Sequence, residues 1–290
     1  MPKEESGNLE KMVNSFLMGK EILKPLNTGR IDKRVCCIRE YDVNFYFYTR
    51  HGKTIMIDAG YNYDRLEEKM GWLDIKPRDI HEILLTHLDP DHVGALAQDS
   101  SHLFDHAKVY LGEIENRYLT GEKQRKVFKG AHTLPQVALA NPVTLLKDEQ
   151  VFWIDDIKIE TLLVRGHTWG HVVYLIDDGY LFLGDTMWLG PDGGHSGINV
   201  LAEDNHLNKC ALKVLKSRLE SRNLKPMLLT CHSGWTGNFD FGFAHIDRAC
   251  NGLRRQKPHD PDAPYDPWDE SGDTEEKARN VPLQPRMIIG

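Results

Sequence analysis

Four metal-capable side chains lie within six positions, directly after a short apolar run. The run is Ile83-Leu84-Leu85, and it is followed by the segment Thr86-His87-Leu88-Asp89-Pro90-Asp91-His92. On an extended backbone alternate side chains share a face, so His87, Asp89 and Asp91 should project to one side. His92 follows at the expected start of a helix, where it can face a second ion. The spacing predicts half of a two-metal site at the end of a strand.

Three later segments predict the other half, because a catalytic ion needs three or more protein ligands. In each of them an apolar strand precedes a ligand-type residue: His167 follows residues 157–164, Asp185 follows 180–183, and His232 follows 227–231. Asp185 is the candidate bridge, since a carboxylate can bind two cations. Rigid strands would hold the ligand geometry while the loops keep the metals accessible.

These motifs resemble the metallo-β-lactamase-fold superfamily, which includes glyoxalase II and the acyl-homoserine lactonases, over roughly residues 54–233. The resemblance implies that one metal is held by His87, Asp89 and His167, the other by Asp91, His92 and His232, with Asp185 between them. It also implies that Asp58 steadies the metal loop without touching the ions. His171 is predicted to support the site by donating to a backbone or carboxylate oxygen nearby.

The chain departs from the family motif His-x-His-x-Asp-His at Asp89, where the second His is usual. Three carboxylates, a bridging hydroxide and two divalent ions sum to zero charge, whereas two carboxylates would leave one positive charge. An oxygen-richer, neutral centre suits harder ions. Two divalent ions are therefore expected, with Zn²⁺ first and Fe or Mn as alternatives.

The resemblance implies a dinuclear metal-dependent hydrolase in which a metal-bridging hydroxide attacks a carbonyl. Asp91 would orient the nucleophile and pass a proton to the leaving group. A lactone, a thioester or a related ester is the preferred substrate, because Trp169 and Trp188 lie near ligands in the sequence and suit an apolar acyl chain, although both could equally be core aromatics. His195, in the Gly-rich segment 190–197, could also touch substrate; a mobile, ordinary turn is the alternative there.

A carboxylate at the position of Asp89 also resembles the flavodiiron proteins, and residues 93–96 add to that likeness. The alternative function is a diiron oxidoreductase, or an O₂ or redox sensor, that works with a separate electron-transfer partner. The segments 166–171 and 184–186 instead resemble hydrolases, and no flavodoxin-like second half is evident. The hydrolase interpretation is therefore preferred.

The spread of the candidate ligands over residues 87–232 predicts one catalytic domain at 27–255, after a lead-in at 1–26 and before a Pro-rich tail at 256–290. The net charge of −7 argues against nucleic acid as substrate. No run approaches the roughly 18 apolar residues of a membrane span. A small molecule is the expected partner. The tail is expected to be irregular and to wrap its own domain, with a homodimer clasp as the alternative.

The five cysteines are odd in number and form no Cys-x-x-Cys pair, which favours a reducing cytoplasm. Cys36 and Cys37 are expected to be buried in a strand. Cys231 precedes a candidate ligand, so its side chain should face away from the metals.

Periodicity predicts an α/β chain. Strands are predicted at 34–38, 43–48, 54–57, 83–86, 108–111, 151–154, 157–164, 172–176, 180–183 and 227–231. A short amphipathic helix is predicted at 9–23. A second helix is indicated by Leu207, Ala211, Val214, Leu215 and Leu219, with Asp204 as its cap. Helices outside two mixed sheets would make an αββα four-layer sandwich.

Overall fold

The computed structural model describes residues 23–250 and 269–287. In these ranges two β-sheets pack face to face and helices cover their outer faces. All ten predicted strands are present, with ends within two residues of the prediction. The predicted helix at 9–23 lies outside the described residues except for Leu23.

The first sheet changes from antiparallel to parallel pairing along its width. Within the described chain its neighbouring strands are, in spatial order, β1 (Gly29–Arg30), β2 (Val35–Glu40), β3 (Val43–Arg50), β4 (Lys53–Ile57), β5 (Glu82–Leu85), β6 (Lys108–Gly112) and β9 (Val143–Leu146). Pairs from β1 to β4 are antiparallel, and those from β4 to β9 are parallel. Because Ile57 pairs with Leu84 in parallel register, the carboxyl ends of β4 and β5 lie side by side.

The second sheet has a single parallel pair among its described strands. In spatial order they are β10 (Val151–Ile154), β11 (Ile157–Leu163), β12 (Val172–Ile176), β13 (Tyr180–Phe182), β16 (Met227–Thr230) and β17 (Gly234–Thr236). The parallel pair is β13 with β16, where Phe182 lies opposite Leu229. The ends of these two strands therefore also reach the same edge of the sandwich.

Smaller strands and helices complete the described part of the fold. The remaining strands are β7 (Lys126–Val127), β8 (His132–Thr133), β14 (Met187–Gly190), β15 (Gly193–Ser196) and β18 (His245–Ala249). The helices are α1 (Leu66–Trp72), α2 (Pro90–Val93), α3 (Asn116–Leu119), α4 (Asn205–Ser221), α5 (Phe239–Gly242) and α6 (Glu275–Asn280), with 3₁₀ turns at Pro77–Asp79 and Gly94–Leu96. None of the helices in the described ranges is long and apolar enough to cross a membrane.

Three apolar clusters define the four layers. The central cluster joins the two sheets and includes Tyr46 and Tyr174. A second cluster lies between the first sheet and α1, where Met70 and the C-terminal Ala278 are buried. A third lies between the second sheet and α4, around Leu215. This arrangement confirms the predicted αββα sandwich, since each sheet buries both of its faces.

Helix α4 begins as predicted but buries a slightly different face. The Asp204 side chain accepts a hydrogen bond from the Leu207 backbone N–H at 2.9 Å, which caps the helix. Val214, predicted to face the sheet, is 58% exposed, and Leu212 is fully buried instead. Residues 205, 208, 212, 215 and 219 form the buried stripe, which is the ordinary three-and-four spacing shifted round the helix.

The Gly-rich segment 190–197 is not the ordinary turn that its composition suggested. Strands β14 and β15 form an antiparallel hairpin whose strand residues are all buried, with the exposed Asp192 in its turn, and β15 also pairs with β18. A Cβ at Gly194 would collide with the carbonyl oxygen of Gly242, and Gly193 has φ +132°. The glycines therefore serve close backbone packing in this third sheet.

The C-terminal residues 269–287 contact the body of their own chain. They include the helix α6, so this part is not irregular throughout. The ammonium of Lys69, a fully buried residue, lies 2.6 Å from Glu270 and 2.8 Å from Asp273. The backbone N–H of Arg286 donates to the carbonyl of Trp235 at 2.7 Å. The predicted domain boundaries remain predictions.

Candidate metal centre

Loops from both sheets bring the seven predicted ligands to one edge of the sandwich. The ligands follow β5 (His87, Asp89, Asp91, His92), lie between β11 and β12 (His167), and follow β13 (Asp185) and β16 (His232). Backbone hydrogen bonds join the two sheets at this edge: the N–H of Val172 donates to the carbonyl of Thr86 at 3.0 Å, and that of Asn44 to Cys231 at 2.6 Å. The fold thus assembles the site from segments that are up to 145 residues apart (87 to 232).

One group of ligand atoms surrounds a space between His87 and His167. Suitable atoms of His87, His167 and Asp185 all lie within 4.8 Å of one another. Asp89 adds a fourth donor, because its Oδ2 lies 3.0 Å from His167 Nε2 and 3.7 Å from His87 Nε2. Asp185 Oδ2 is 3.6 Å from His167 Nε2. These separations are those of donors arranged round a single ion with bonds of about 2.0–2.2 Å.

A second group lies on the other side of Asp185. Atoms of Asp91, His92 and His232 are likewise within 4.8 Å of one another. Asp185 Oδ1 is 3.3 Å from both His92 Nε2 and His232 Nε2, and Asp91 Oδ2 is 3.3 Å from His232 Nε2. The two oxygens of Asp185 therefore face different groups, which is the geometry that a bridging carboxylate needs.

Asp58 ties together the segments that carry the first ligands. Its Oδ1 accepts the backbone N–H of Thr86 at 2.8 Å, and its Oδ2 accepts the Nδ1–H of His92 at 2.9 Å. The Thr86 hydroxyl donates to Asp58 and can accept the Nδ1–H of His87 at 3.0 Å. These bonds leave the Nε2 lone pairs of His87 and His92 free to point into the site. Asp58 adopts φ +61°, a conformation that Asp tolerates better than most residues.

His232 is fixed in the same way by a different pair of neighbours. Its Nδ1–H donates to the carbonyl oxygen of Asp42 at 2.8 Å, so Nε2 is the free nitrogen. The indole of Trp188 stacks on the imidazole with 4.8 Å between ring centres and 4° between planes. Trp188 is 2% exposed, so its contact here is with the ligand ring rather than with an open pocket.

Several buried polar atoms of the site have no hydrogen-bond partner among the described residues. They include His87 Nε2, His92 Nε2 and Asp185 Oδ1, all of which point into the space between the two groups. A buried polar atom without a partner costs roughly 1–3 kcal/mol, more if it is charged. Divalent cations would satisfy all three atoms, so the donor set fits a pair of metal ions.

The charges of the site also favour a cation. Burial opposes ionisation of Asp185, yet His232 and His92 hold the pKa of its carboxyl well below the usual range. Burial likewise opposes the charged form of His92, but the carboxylates of Asp185, Asp91 and Asp58 raise the pKa of its ring well above the ordinary value. The carboxylates are thus strongly driven to be ionised and to attract positive charge.

His171 supports the site, although by accepting rather than donating a hydrogen bond. Its Nε2 accepts the backbone N–H of Asp185 at 3.2 Å, and its ring stacks on His87 with 4.7 Å between centres. Burial holds its pKa well below the ordinary value, which keeps the ring neutral and able to accept. The predicted donation from His171 is therefore wrong in direction, while its predicted place beside the ligands agrees with the structure.

Sequence reasoning missed Glu115, a fully buried residue that directly precedes α3. Its Oε1 accepts the backbone N–H of Leu88 at 3.0 Å, and its Oε2 accepts the hydroxyl of Thr168 at 2.7 Å. One carboxylate therefore holds the loop of His87 against the loop of His167. Nothing in the local sequence pattern signals this contact.

Sequence reasoning also missed Arg125, whose guanidinium forms two hydrogen bonds with the Asp89 carboxylate. This guanidinium adds one positive charge that the sequence-based count of carboxylates and ions did not include.

The three candidates for substrate contact lie in different surroundings. Trp169 is 38% exposed, and the ammonium of Lys123 lies 4.2 Å from the centre of its ring. His195 is 2% exposed and contacts Asp192 at 2.8 Å, with His245 beside it. Trp169 is thus the candidate with substantial exposure, while Trp188 and His195 are buried.

Cys231 is buried beside Asp58 and His92, whereas Cys36 is buried in β2. The Sγ of Cys231 lies 3.6 Å from Asp58 Oδ2, and potential ligand atoms of Asp58, His92 and Cys231 all lie within 4.8 Å of one another, so the orientation of Cys231 away from the metals remains a prediction. Burial raises the pKa of the Cys36 thiol to about 12, in agreement with a buried strand position. Neither thiol is poised to be a nucleophile.

Comparisons with known proteins agree with this geometry. Residues 38–204 match the family model of the metallo-beta-lactamase superfamily. A probable polyketide biosynthesis zinc-dependent hydrolase, BaeB, from Bacillus velezensis is 30% identical over 134 residues, which cover 46% of this chain and 49% of that protein. A hydroxyacylglutathione hydrolase from Aeromonas hydrophila is 28% identical over 156 residues, covering 53% and 50%. The chain spans about half the length of these curated relatives.

Solved structures show the same fold at low sequence identity. A metallo-β-lactamase from Pontibacter korlensis superimposes with a TM-score of 0.56 at 18% identity, covering 74% of this chain and 94% of that one. A B3 metallo-β-lactamase with an active-site glutamic acid gives a TM-score of 0.55 at 17% identity, covering 77% and 87%. With the family model matching more than half of its length, the chain belongs to the metallo-β-lactamase superfamily.

Proposed function

We propose that the chain is a dinuclear metal-dependent hydrolase of lactones, thioesters or related esters. His87, Asp89 and His167 would hold one divalent ion, and Asp91, His92 and His232 would hold the other, with Asp185 contacting both groups of ligands. Zn²⁺ is the expected ion, because imidazole and carboxylate donors at these separations suit it and because a relative is named as zinc-dependent.

The observation that carries this proposal is the convergence of unsatisfied donors. Three imidazoles are oriented by hydrogen bonds from their Nδ1 atoms, to Thr86, Asp58 and the carbonyl of Asp42, so that their Nε2 atoms face a common space. Asp185 faces both groups from its two oxygens. Such an arrangement is costly to fold unless cations occupy it, which favours a functional origin.

Ions bound here would polarise a carbonyl and lower the pKa of a water. The chain's own residues supply orientation and proton transfer. Asp91 has a side chain that is 19% exposed, against 5% for Asp185, so it is the carboxylate nearer to an entering substrate. Its Oδ2 lies 3.3 Å from His232 Nε2 in the second ligand group, and its other carboxylate oxygen can hold a proton and return it to the leaving group.

An acyl substrate is supported by a relative and by the surroundings of the site. The protein from Aeromonas hydrophila is named for the hydrolysis of hydroxyacylglutathione, an acyl compound. Trp169, two residues after His167, offers a partly exposed ring on which an acyl chain can pack. The aromatic surface does not select among lactone, thioester and simple ester.

The proposal is tested by metal analysis and a substrate panel on the same preparation. Protein purified without oxygen should contain two equivalents of zinc and should hydrolyse members of a panel of lactones and thioesters. His232→Ala should lose metal and activity. His81→Ala is the matched control, because His81 is exposed at the opposite end of β5. Bound iron with reducible absorption bands and no ester hydrolysis, or turnover of phosphodiesters alone, would contradict the proposal.

A further inference from the structure

Arg125 is a buried cation in contact with two of the proposed metal ligands. The residue is 7% exposed. Its Nε donates to Asp89 Oδ1 at 2.7 Å and its Nη2 donates to Asp89 Oδ2 at 2.8 Å, so the guanidinium binds the carboxylate in a bidentate manner. The same Nη2 lies 3.2 Å from His167 Nε2. Two-point hydrogen bonds between a guanidinium and a carboxylate are among the stronger ones in proteins.

The rest of the guanidinium is held by backbone carbonyls, so its position is fixed. Nη1 donates to the carbonyl of Lys126 at 2.9 Å, and Nη2 donates to the carbonyl of Leu201 at 2.7 Å. These carbonyls belong to β7 and to the loop before α4, which are separated by more than 70 residues in the chain. Lysine could not reproduce this planar set of contacts, because its ammonium is a single point of charge.

The ion pair also balances the charge of Asp89, because the guanidinium donates to both oxygens of its carboxylate. Asp89 Oδ2 lies 3.7 Å from His87 Nε2 and 3.0 Å from His167 Nε2. It therefore keeps a lone pair for the space between these two histidines. The carboxylate with its guanidinium has no net charge, like the neutral imidazole that the family motif has at this position.

We propose that Arg125 is a positioning and charge-compensating residue, and that Asp89 and Arg125 act as one unit in place of the motif's second histidine. The inference rests on the metal centre of the proposed function. It makes the two residues interdependent. A histidine at position 89 would leave a buried guanidinium without its carboxylate and next to a cation, whereas a histidine at 89 with a neutral residue at 125 would recreate the common arrangement.

The test is a double-mutant cycle read by Zn²⁺ binding rather than by activity. Wild type, Asp89→His, Arg125→Met and the double variant are titrated with Zn²⁺ against a competing chelator, and circular dichroism verifies folding. Asp89→His and Arg125→Met should each weaken the binding of one ion by roughly 10- to 100-fold. In the Asp89→His protein, Arg125→Met should instead strengthen it by at least about 10-fold. Arg78→Met, at an exposed site, is the matched control and should change nothing.

Three results would overturn the inference. The first is additivity, in which Arg125→Met weakens Zn²⁺ binding equally in the wild type and in Asp89→His. This is the result expected if Arg125 had only a structural role. The second is full affinity of Asp89→His for both ions while Arg125 is intact. The third is tighter binding by Arg125→Met alone, because the guanidinium would then compete with the ion. If a variant does not fold, the cycle is repeated with the near-isosteric variants Asp89→Asn and Arg125→Gln and their double variant. Each single variant leaves one charge unpaired and should bind Zn²⁺ more weakly than the double variant.

Failure of this inference differs from failure of the proposed function. A wild type that binds two ions and hydrolyses esters, with an additive cycle, contradicts only the role of Arg125. Suppose instead that the wild type binds two ions but does not hydrolyse esters, and that Arg125→Met weakens Zn²⁺ binding in the wild type but strengthens it in Asp89→His. This result contradicts only the proposed reaction. Wild-type protein that binds no Zn²⁺ contradicts both.

Discussion

The Asp58 carboxylate and the His92 imidazole are joined by a hydrogen bond of 2.9 Å, which connects the end of β4 to the start of α2. The same carboxylate accepts two bonds from Thr86, at the end of β5. One buried side chain therefore sets the distance between the strand ends and the rotation of a ligand ring. Asp58 is 1% exposed, so water cannot replace it.

Replacing Asp58 should damage the centre although no proposed ligand changes. We expect Asp58→Ala to lower metal affinity or the hydrolytic rate by roughly 10- to 100-fold, because His92 loses its Nδ1 partner. Metal titration and steady-state kinetics measure the two effects. Asp79→Ala, an exposed carboxylate beyond the other end of β5, is the control. Unchanged metal content and rate in Asp58→Ala would reduce Asp58 to a turn residue.

Asp185→Asn tests the bridge between the two groups of ligands. The amide lacks the negative charge that faces His92, His232 and His167, so metal occupancy and rate should fall together. The loss should exceed the roughly 10- to 100-fold that an outer contact costs, because the proposed ligand to both ions is altered. Elemental analysis and kinetics of one preparation provide the comparison. Two full equivalents of metal in this variant would refute the bridging assignment.

Chelation should lower the melting temperature. Without ions, the carboxylates of Asp91 and Asp185 repel each other in a buried site, and ligand that binds only the folded state stabilises it by mass action. A loss of about 1 kcal/mol in the free energy of unfolding lowers the melting temperature by roughly 2–4 °C for a chain of this size. We therefore expect the melting temperature to drop by at least about 4 °C. Differential scanning calorimetry with EDTA, and with EDTA already saturated with Zn²⁺ as control, measures it. Identical melting points would show that the ions contribute no stability.

Glu115 should show a pH-dependent contribution to stability. Burial raises the pKa of its carboxyl from 4.5 to about 8, so the folded state holds a proton that the unfolded state releases. Stability from this group therefore decreases as the pH rises from about 4.5 to 8. Glu115→Gln keeps an acceptor for the Leu88 N–H but has no ionisable group at this position. Its melting temperature should therefore rise relative to that of the wild type as the pH increases through this window.

Glu115→Ala is the matched comparison for that experiment. It leaves the Leu88 N–H and the Thr168 hydroxyl without their acceptor and should cost about 1–3 kcal/mol of unfolding free energy at any pH in the window. A constant difference between Glu115→Gln and wild type from pH 5 to 8 would show that Glu115 is ionised throughout.

Lys69 should be essential for the docking of residues 269–287. Lys69→Met leaves Glu270 and Asp273 without their buried cation, so we expect about 3–5 kcal/mol of destabilisation and faster proteolysis within this segment. Chemical denaturation and limited proteolysis with mass spectrometry report the two effects. Lys76→Met, at an exposed position, should match wild type in both. An equally protected segment in Lys69→Met would mean that its apolar contacts, such as those of Ala278, suffice.

The sequence by itself determined the strands and most of the candidate ligands, because both are encoded over short distances. Short continuous apolar runs predict strands such as Val151–Ile154 and Val172–Ile176, and a ligand at the end of a run is carried to the edge of a sheet. The spacing within 86–92 is likewise a property of neighbours. In α4, Leu215 and Leu219 are buried as predicted, but Val214 is exposed and Leu212 is buried instead, because burial depends on the rotation of the helix against the sheet.

Only the tertiary structure decided the partners that arrive from distant segments. Arg125 meets Asp89 from 36 residues away, and Glu115 joins Leu88 to Thr168, yet both stand in polar stretches without a periodic pattern. Glycines 190–197 indicate a turn locally, but packing of Gly194 against Gly242 makes them a buried hairpin. Ion pairing and close backbone approach depend on three-dimensional distance, which a short sequence window does not contain, and so the charge of the centre was set by the fold.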